Sequence, residues 1–178
     1  QYRGLYVRGN DVVLSYTVGD AAILERPGLE PLGASTAFTR TLAIGKSSTD
    51  LTLEVCQGDH ASVAILSRES LSATDGLPGA LHNLATLTPE KSSTNQALVA
   101  ACVGGNDRLE WVRDAKSNIR LRIPAAATPV RLKLLLAQIP PGGLKEFAAS
   151  AKTTAPPGDL VPLTQGGPTR WPQKLKTQ

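Results

Sequence analysis

Apolar and polar residues alternate with a period of two along much of the chain. Leu51, Leu53 and Val55 alternate with Thr52 and Glu54, and Ile119, Leu121 and Ile123 alternate with Arg120 and Arg122. A period of two sends successive side chains to opposite faces, so both segments read as half-buried strands. Thr36–Ile44 places Phe38, Arg40, Leu42 and Ile44 on one face and Thr39 and Thr41 on the other, a strand with an imperfect inner face. Val130–Ile139 begins the same way, then becomes apolar on both faces at Leu135 and Ala137. That strand is expected to start exposed on one face and end buried on both. Further strands are expected at Tyr2–Arg8, Val12–Val18, Ala21–Glu25, Ala61–Leu66, Gln96–Val103 and Arg108–Arg113. Gly9-Asn10-Asp11 and Gly19-Asp20 read as turns, with Gly9-Asn10-Asp11 closing a hairpin, and the same turn chemistry recurs at Gly104–Asp107.

Three stretches break the pattern. Pro27–Gly33 reads as a loop. Arg68–Asn95 mixes Gly76, Pro78, Gly79 and Pro89 with short polar residues and reads as a long loop with at most one helical turn. Leu144–Lys152 sets Leu144, Phe147, Ala148 and Ala151 on one stripe, the spacing of a helix packed by one face. Pro156–Gly158 ends that helix, and Asp159 caps a short turn at Leu160. Pro168 and Pro172 hold Gln165–Gln178 extended, with Trp171 as its anchor. The expected architecture is all-β: a two-sheet β-sandwich of roughly ten strands over residues 1–164, a helix at about 144–152, and an extended strap or linker over 165–178.

Composition narrows the function. The 178 residues suffice for one domain with a core. No apolar run reaches the ~20 residues of a membrane helix. There is no methionine, which suggests a processed chain or an excised piece. The net charge of +4 is carried mainly by the second half and by Arg170, Lys174 and Lys176 at the end. Nucleic-acid modules interleave such charge with stacking aromatics. Aromatics are only 4% here, and the strand carrying Arg120 and Arg122 has none, so no nucleic-acid partner is expected.

Candidate chemistry is sparse. His60 follows Asp59 and lies near Cys56, yet nothing at catalytic spacing orients the imidazole. His82 falls in the irregular region. Asp11, Asp20 and Asp107 are explained by turns. Convergence of His60, Asp59 and Glu54 with Asp114 is the arrangement that sequence leaves open. The cysteines fit no zinc spacing, and no phosphate-binding, dinucleotide or haem motif occurs. The expectation is a chain with no catalytic residue, no metal ligand and no cofactor. Trp111, Trp171 and Arg170 are the candidate binding residues, and Trp111 with Tyr2, Tyr6 and Tyr16 would suit a sugar platform. Cys56 and Cys102 each lie near the end of an apolar strand. Such a pair either bridges neighbouring strands or serves as two small buried thiols.

Segments 2–19 (YRGLYVRGNDVVLSYTVG), 23–27 (ILERP), 37–42 (AFTRTL) and 166–173 (GGPTRWPQ) together resemble a module of large secreted proteins of planctomycete and verrucomicrobial type. In that family the module precedes a β-propeller similar to soluble sugar dehydrogenases, often with a c-type cytochrome domain elsewhere. The resemblance implies an extracytoplasmic chain, periplasmic or secreted, and places the 166–173 stretch at the junction into the propeller. It carries over no active-site residue. In an oxidising compartment the expectation becomes a Cys56–Cys102 disulfide. The functional expectation is a non-catalytic module of a larger protein, docking against propeller or cytochrome redox domains. The alternative is a carbohydrate-binding module with polysaccharide as its partner, and a small hydrolase ranks last.

Overall fold

The structure is a computed structural model that describes residues 1–57, 61–66, 81–89, 96–140 and 142–165. Eleven strands appear in chain order: β1 Tyr2–Arg8, β2 Asp11–Val18, β3 Ala21–Leu32, β4 Ser35–Ile44, β5 Leu51–Cys56, β6 Ala61–Leu66, β7 Leu81–Pro89, β8 Ala97–Gly104, β9 Glu110–Arg113, β10 Ile119–Ile123 and β11 Val130–Ile139. Helix α1 spans Leu144–Thr153, and a short helix α2 spans Val161–Thr164. All pairs are antiparallel. They form an eight-stranded sheet in the order β1-β2-β3-β4-β11-β8-β7-β6 and a three-stranded sheet in the order β5-β10-β9.

The small sheet covers one face of the large sheet, here called the inner face. Leu51, Trp111, Ile119, Leu121 and Ile123 pack there against Ile23, Leu42, Ile44, Cys102, Leu132 and Leu134. On the outer face α1 lays Phe147, Ala148 and Ala151 over Val99, Ala101, Leu135, Ala137 and Ile139. Burial on two sides is why β8, and β11 from Leu134 to Ala137, read as continuous apolar runs. The alternating half-buried pattern of β10 follows from its having one solvent face.

The first four strands form a meander closed by two-residue turns. Arg8 pairs with Asp11, Val18 with Ala21, and Leu32 with Ser35. Gly9, Gly19 and Gly33 take φ of 61°, 58° and 61°, while the second turn residues keep negative φ. This is the II′ arrangement, with glycine at the one position that needs positive φ. The Gly104-Gly105 turn differs. Both glycines have positive φ, and the chain passes from β8 in the large sheet to β9 in the small one. A second crossing joins β4 to β5 and β10 to β11, stitched where Ser47 and Ala126 exchange N–H···O bonds of 2.9 and 3.0 Å.

Two expected loops are strands. Pro27–Gly33 belongs largely to β3, which runs to Leu32. Pairs alternate along a ladder from the Leu32–Ser35 pair, so Glu30, Gly28 and Arg26 bond to β4. Pro27, Leu29 and Pro31 therefore face the other way, and β2 stops pairing with β3 at Glu25. Both prolines lose a donor that no neighbouring strand would have accepted. In the irregular region, residues 81–89 form β7, and the register shift between His82 and Ala85 interrupts the period that would have announced it. The rest of that region and the 166–178 strap lie outside the described residues.

Candidate functional site

Tyr16, Glu25 and Arg40 come from β2, β3 and β4, and all three point to the inner face at the margin of the small sheet. Glu25 is 7% exposed. Its Oε2 accepts the Tyr16 hydroxyl at 2.6 Å and its Oε1 accepts Arg40 Nε at 2.5 Å. Arg40 also reaches the Glu54 carbonyl on β5 at 3.5 Å, which ties the network to the small sheet. Burial alone would raise Glu25, but the bonds from Arg40 and Tyr16 outweigh it and hold its carboxyl below the ordinary range. Burial, joined by the Glu25 carboxylate, pushes the Tyr16 phenol up. With one bond to each carboxylate oxygen, the triad ties β2, β3 and β4 together.

Beyond the triad the small sheet ends, and the inner face of β1–β4 stands uncovered. Tyr2 is opposite Tyr16, Leu5 opposite Leu14, and Val7 opposite Val12, so these three side chains of β1 share the inner face. Tyr2, Leu5 and Val7 are 66%, 51% and 56% exposed. Val18, Pro27, Leu29 and Phe38 extend the exposed apolar surface across β2, β3 and the tip of the β3–β4 hairpin. A contiguous apolar face of this kind, one layer short of being covered, is the most conspicuous surface among the described residues.

The sequence candidates fall as follows. Trp111 is buried in the inter-sheet core at 5% exposure, and its Nε1 has no hydrogen-bond partner among the described residues. It therefore presents no ring face to a ligand, contrary to the expectation. Of the other residues in the expected sugar platform, Tyr2 and Tyr16 are opposite each other on the inner face, with the Tyr16 hydroxyl bound to Glu25, and Tyr6 is opposite Val13, on the other face. Arg170 and Trp171 lie outside the described residues, as do Asp59 and His60. His82 lies in β7 opposite Cys102.

The expected disulfide is also corrected. Cys56 and Cys102 are both free thiols. Cys102 sits on β8 in the large sheet and Cys56 on β5 in the small one, both in the inter-sheet core. They are side chains of facing layers, not ends of adjacent strands. Burial pushes the Cys102 thiol up to about 12 and raises Cys56 as well.

Glu54 and Asp114 do converge, but on Arg120, whose guanidinium lies 3.0 Å from Asp114 and 3.6 Å from Glu54. Arg122 is likewise held by Asp50 at 2.7 Å and Glu110 at 3.2 Å. The arginine-bearing strand is thus a solvent face neutralised by acids from β5, β9 and the adjoining loops. A surface cleft of about 430 Å³ is lined by Asp20, Lys46, Ser47, Ser48 and Ala125–Ala127. Its carboxylate already accepts the Ser47 hydroxyl and the Ser48 N–H. Among the described residues no helix is long and apolar enough to cross a membrane.

A family model described as a domain of unknown function, DUF6797, matches residues 1–25, which are β1, β2 and the opening of β3. No curated protein and no solved structure matches the chain.

Proposed function

We propose that the chain is a non-catalytic β-sandwich module of a larger extracytoplasmic protein, and that it docks against a β-propeller or c-type cytochrome domain. The observation that carries this reading is the uncovered inner face of β1–β4, with Tyr2, Leu5, Val7, Leu29 and Phe38 exposed. Soluble monomers rarely leave so continuous an apolar surface open, and its usual occupant is protein. The segment matched by the domain of unknown function supplies two of the four strands beneath it. The polysaccharide alternative has less support, because it calls for a row of aromatic rings on one face, and the structure buries Trp111 and puts Tyr6 on the other face.

The test is a calorimetric titration of the purified chain against two partners. One is a sugar-dehydrogenase-like β-propeller domain and the other a c-type cytochrome domain, both from proteins that carry the same first segment. Binding to either, weakened at least about tenfold by the double substitution Leu29→Glu/Phe38→Glu, is the expected result. Silence with both, together with retention on immobilised polysaccharide, overturns the reading.

A further inference from the structure

The uncovered face ends at β1, and β1 is an edge strand with none of its residues buried. The direction of its backbone groups follows from the turn beside it. Arg8 and Asp11 flank a two-residue turn and form a hydrogen-bonded pair, and bonded and non-bonded pairs alternate from there. Val7–Val12 and Leu5–Leu14 are then non-bonded pairs, so the N–H and C=O groups of Leu5 and Val7 point away from β2. The same two residues carry exposed apolar side chains on the inner face.

The other open backbone at this end of the sheet is treated differently. Beyond Glu25, β3 also has a side with no strand against it, and there Pro27 and Pro31 occupy two of the three outward positions. Proline at those positions blocks strand addition. The outward positions of β1 hold Leu5 and Val7, which keep their donors. Nothing among the described residues pairs with them.

Charge narrows the occupant. The acids near this end are already committed: Asp11 to Arg26 at 3.0 Å, Glu25 to Arg40, and Glu30 to Lys133 at 2.8 Å. Neither Arg3, which is exposed, nor Arg8, whose guanidinium donates to the Pro162 carbonyl at 2.7 Å, has an ion pair among the described residues. A second copy adding its own β1 would gather the Arg3 and Arg8 guanidinium groups of both chains along one seam with no acid between them, which opposes pairing.

We infer that β1 is a receptor edge for strand addition by a partner polypeptide whose segment is extended, apolar at alternate positions and acidic between them. The added strand bonds to the Leu5 and Val7 backbone, extends the large sheet to nine strands, and sets its apolar residues beside Leu5 and Val7 on the inner face. This rests on the docking reading and specifies how the docking is made.

The probe is an acetylated, amidated peptide alternating valine with glutamate, followed by fluorescence anisotropy, with the lysine counterpart as control. The glutamate peptide is expected to bind, and the lysine peptide to bind at least about tenfold more weakly. Val7→Pro removes an outward donor while leaving the β1–β2 bonds in place, and about a tenfold loss is expected. Leu5→Pro serves as the second variant should Val7→Pro not fold. No binding by the wild-type chain, or binding unchanged in both proline variants, overturns the inference. So does binding confined to a chain shortened at Gln165, which would make the chain's own last residues the occupant, and so does a dimer in sedimentation that Val7→Pro dissociates. A propeller or cytochrome domain that binds Val7→Pro as tightly as wild type sinks this inference alone. Silence with those domains while the peptide binds sinks the docking assignment alone.

Discussion

Replacing Glu25 by glutamine should destabilise the fold by about 3 kcal/mol, the low end of the cost of breaking a buried ion pair by removing one partner. The side chains of Glu25 and Arg40 are 10% and 23% exposed, so Arg40 would keep its charge inside the protein with no countercharge, facing only a neutral amide and the Glu54 carbonyl at 3.5 Å. Tyr16→Phe removes one bond to a charged acceptor and should cost about 1.5 kcal/mol. Effects within the triad are not additive: Glu25→Leu/Arg40→Leu removes both charges together and should cost well below the sum of its single substitutions. Urea unfolding followed by circular dichroism reads each value. The pH dependence gives an independent sign. The folded Glu25 carboxyl lies below its ordinary value of 4.5. Its contribution is therefore full above that value and is lost as pH falls through the lower folded value. Wild type should lose stability below pH 4.5 more steeply than Glu25→Gln. A Glu25→Gln protein within about 0.5 kcal/mol of wild type, with the same acid limb, would refute the reasoning, since surface substitutions stay inside that margin.

Other predictions follow from packing and from the free thiols. Gly104 has φ of 77°, and a Cβ there would lie 2.7 Å from Pro157 Cγ and 3.0 Å from the Arg131 carbonyl. Gly104→Ala should therefore cost about 3 kcal/mol in urea unfolding, from backbone strain and overpacking together, and a neutral result would show that the 154–160 segment does not press on β8. Thiol titration of the denatured, unreduced chain should find both Cys56 and Cys102 reactive, whereas in the native protein Cys102 should stay silent until unfolding. A denatured chain without free thiols would restore the bridge.

Much of the fold was legible because one face of most strands is wet. β5 and β10 alternate cleanly, and the α1 stripe names the residues it buries, Phe147, Ala148 and Ala151. The failures have local causes. β3 was cut short at Glu25 because prolines were read as breakers, and only the register shows that their missing donors face no partner. β7 was lost to a bulge between His82 and Ala85. The sequence places Cys56 and Cys102 at strand ends but does not reveal that β5 and β8 lie in different sheets, where the structure leaves both thiols free. Residue type leaves Trp111 open between core and platform, and its burial places it in the core. The Tyr16–Glu25–Arg40 triad was missed entirely, although Glu25 and Arg40 at inward positions of otherwise apolar faces were a visible anomaly. The uncovered face was invisible in the pattern, since Leu5, Val7 and Phe38 look like core residues, and Leu29 like a loop residue, until the small sheet is found to be too narrow to reach them.

The docking claim is tested most directly by hydrogen–deuterium exchange of the full chain, alone and with the propeller or cytochrome domain. The expected result is slowed exchange on β1, on β2 and at the β3–β4 hairpin tip around Leu29 and Phe38, with the solvent face of β5-β10-β9 unchanged. Protection confined to the small sheet around Arg120 and Arg122, or no protection at partner concentrations that saturate other measures of binding, would contradict the account.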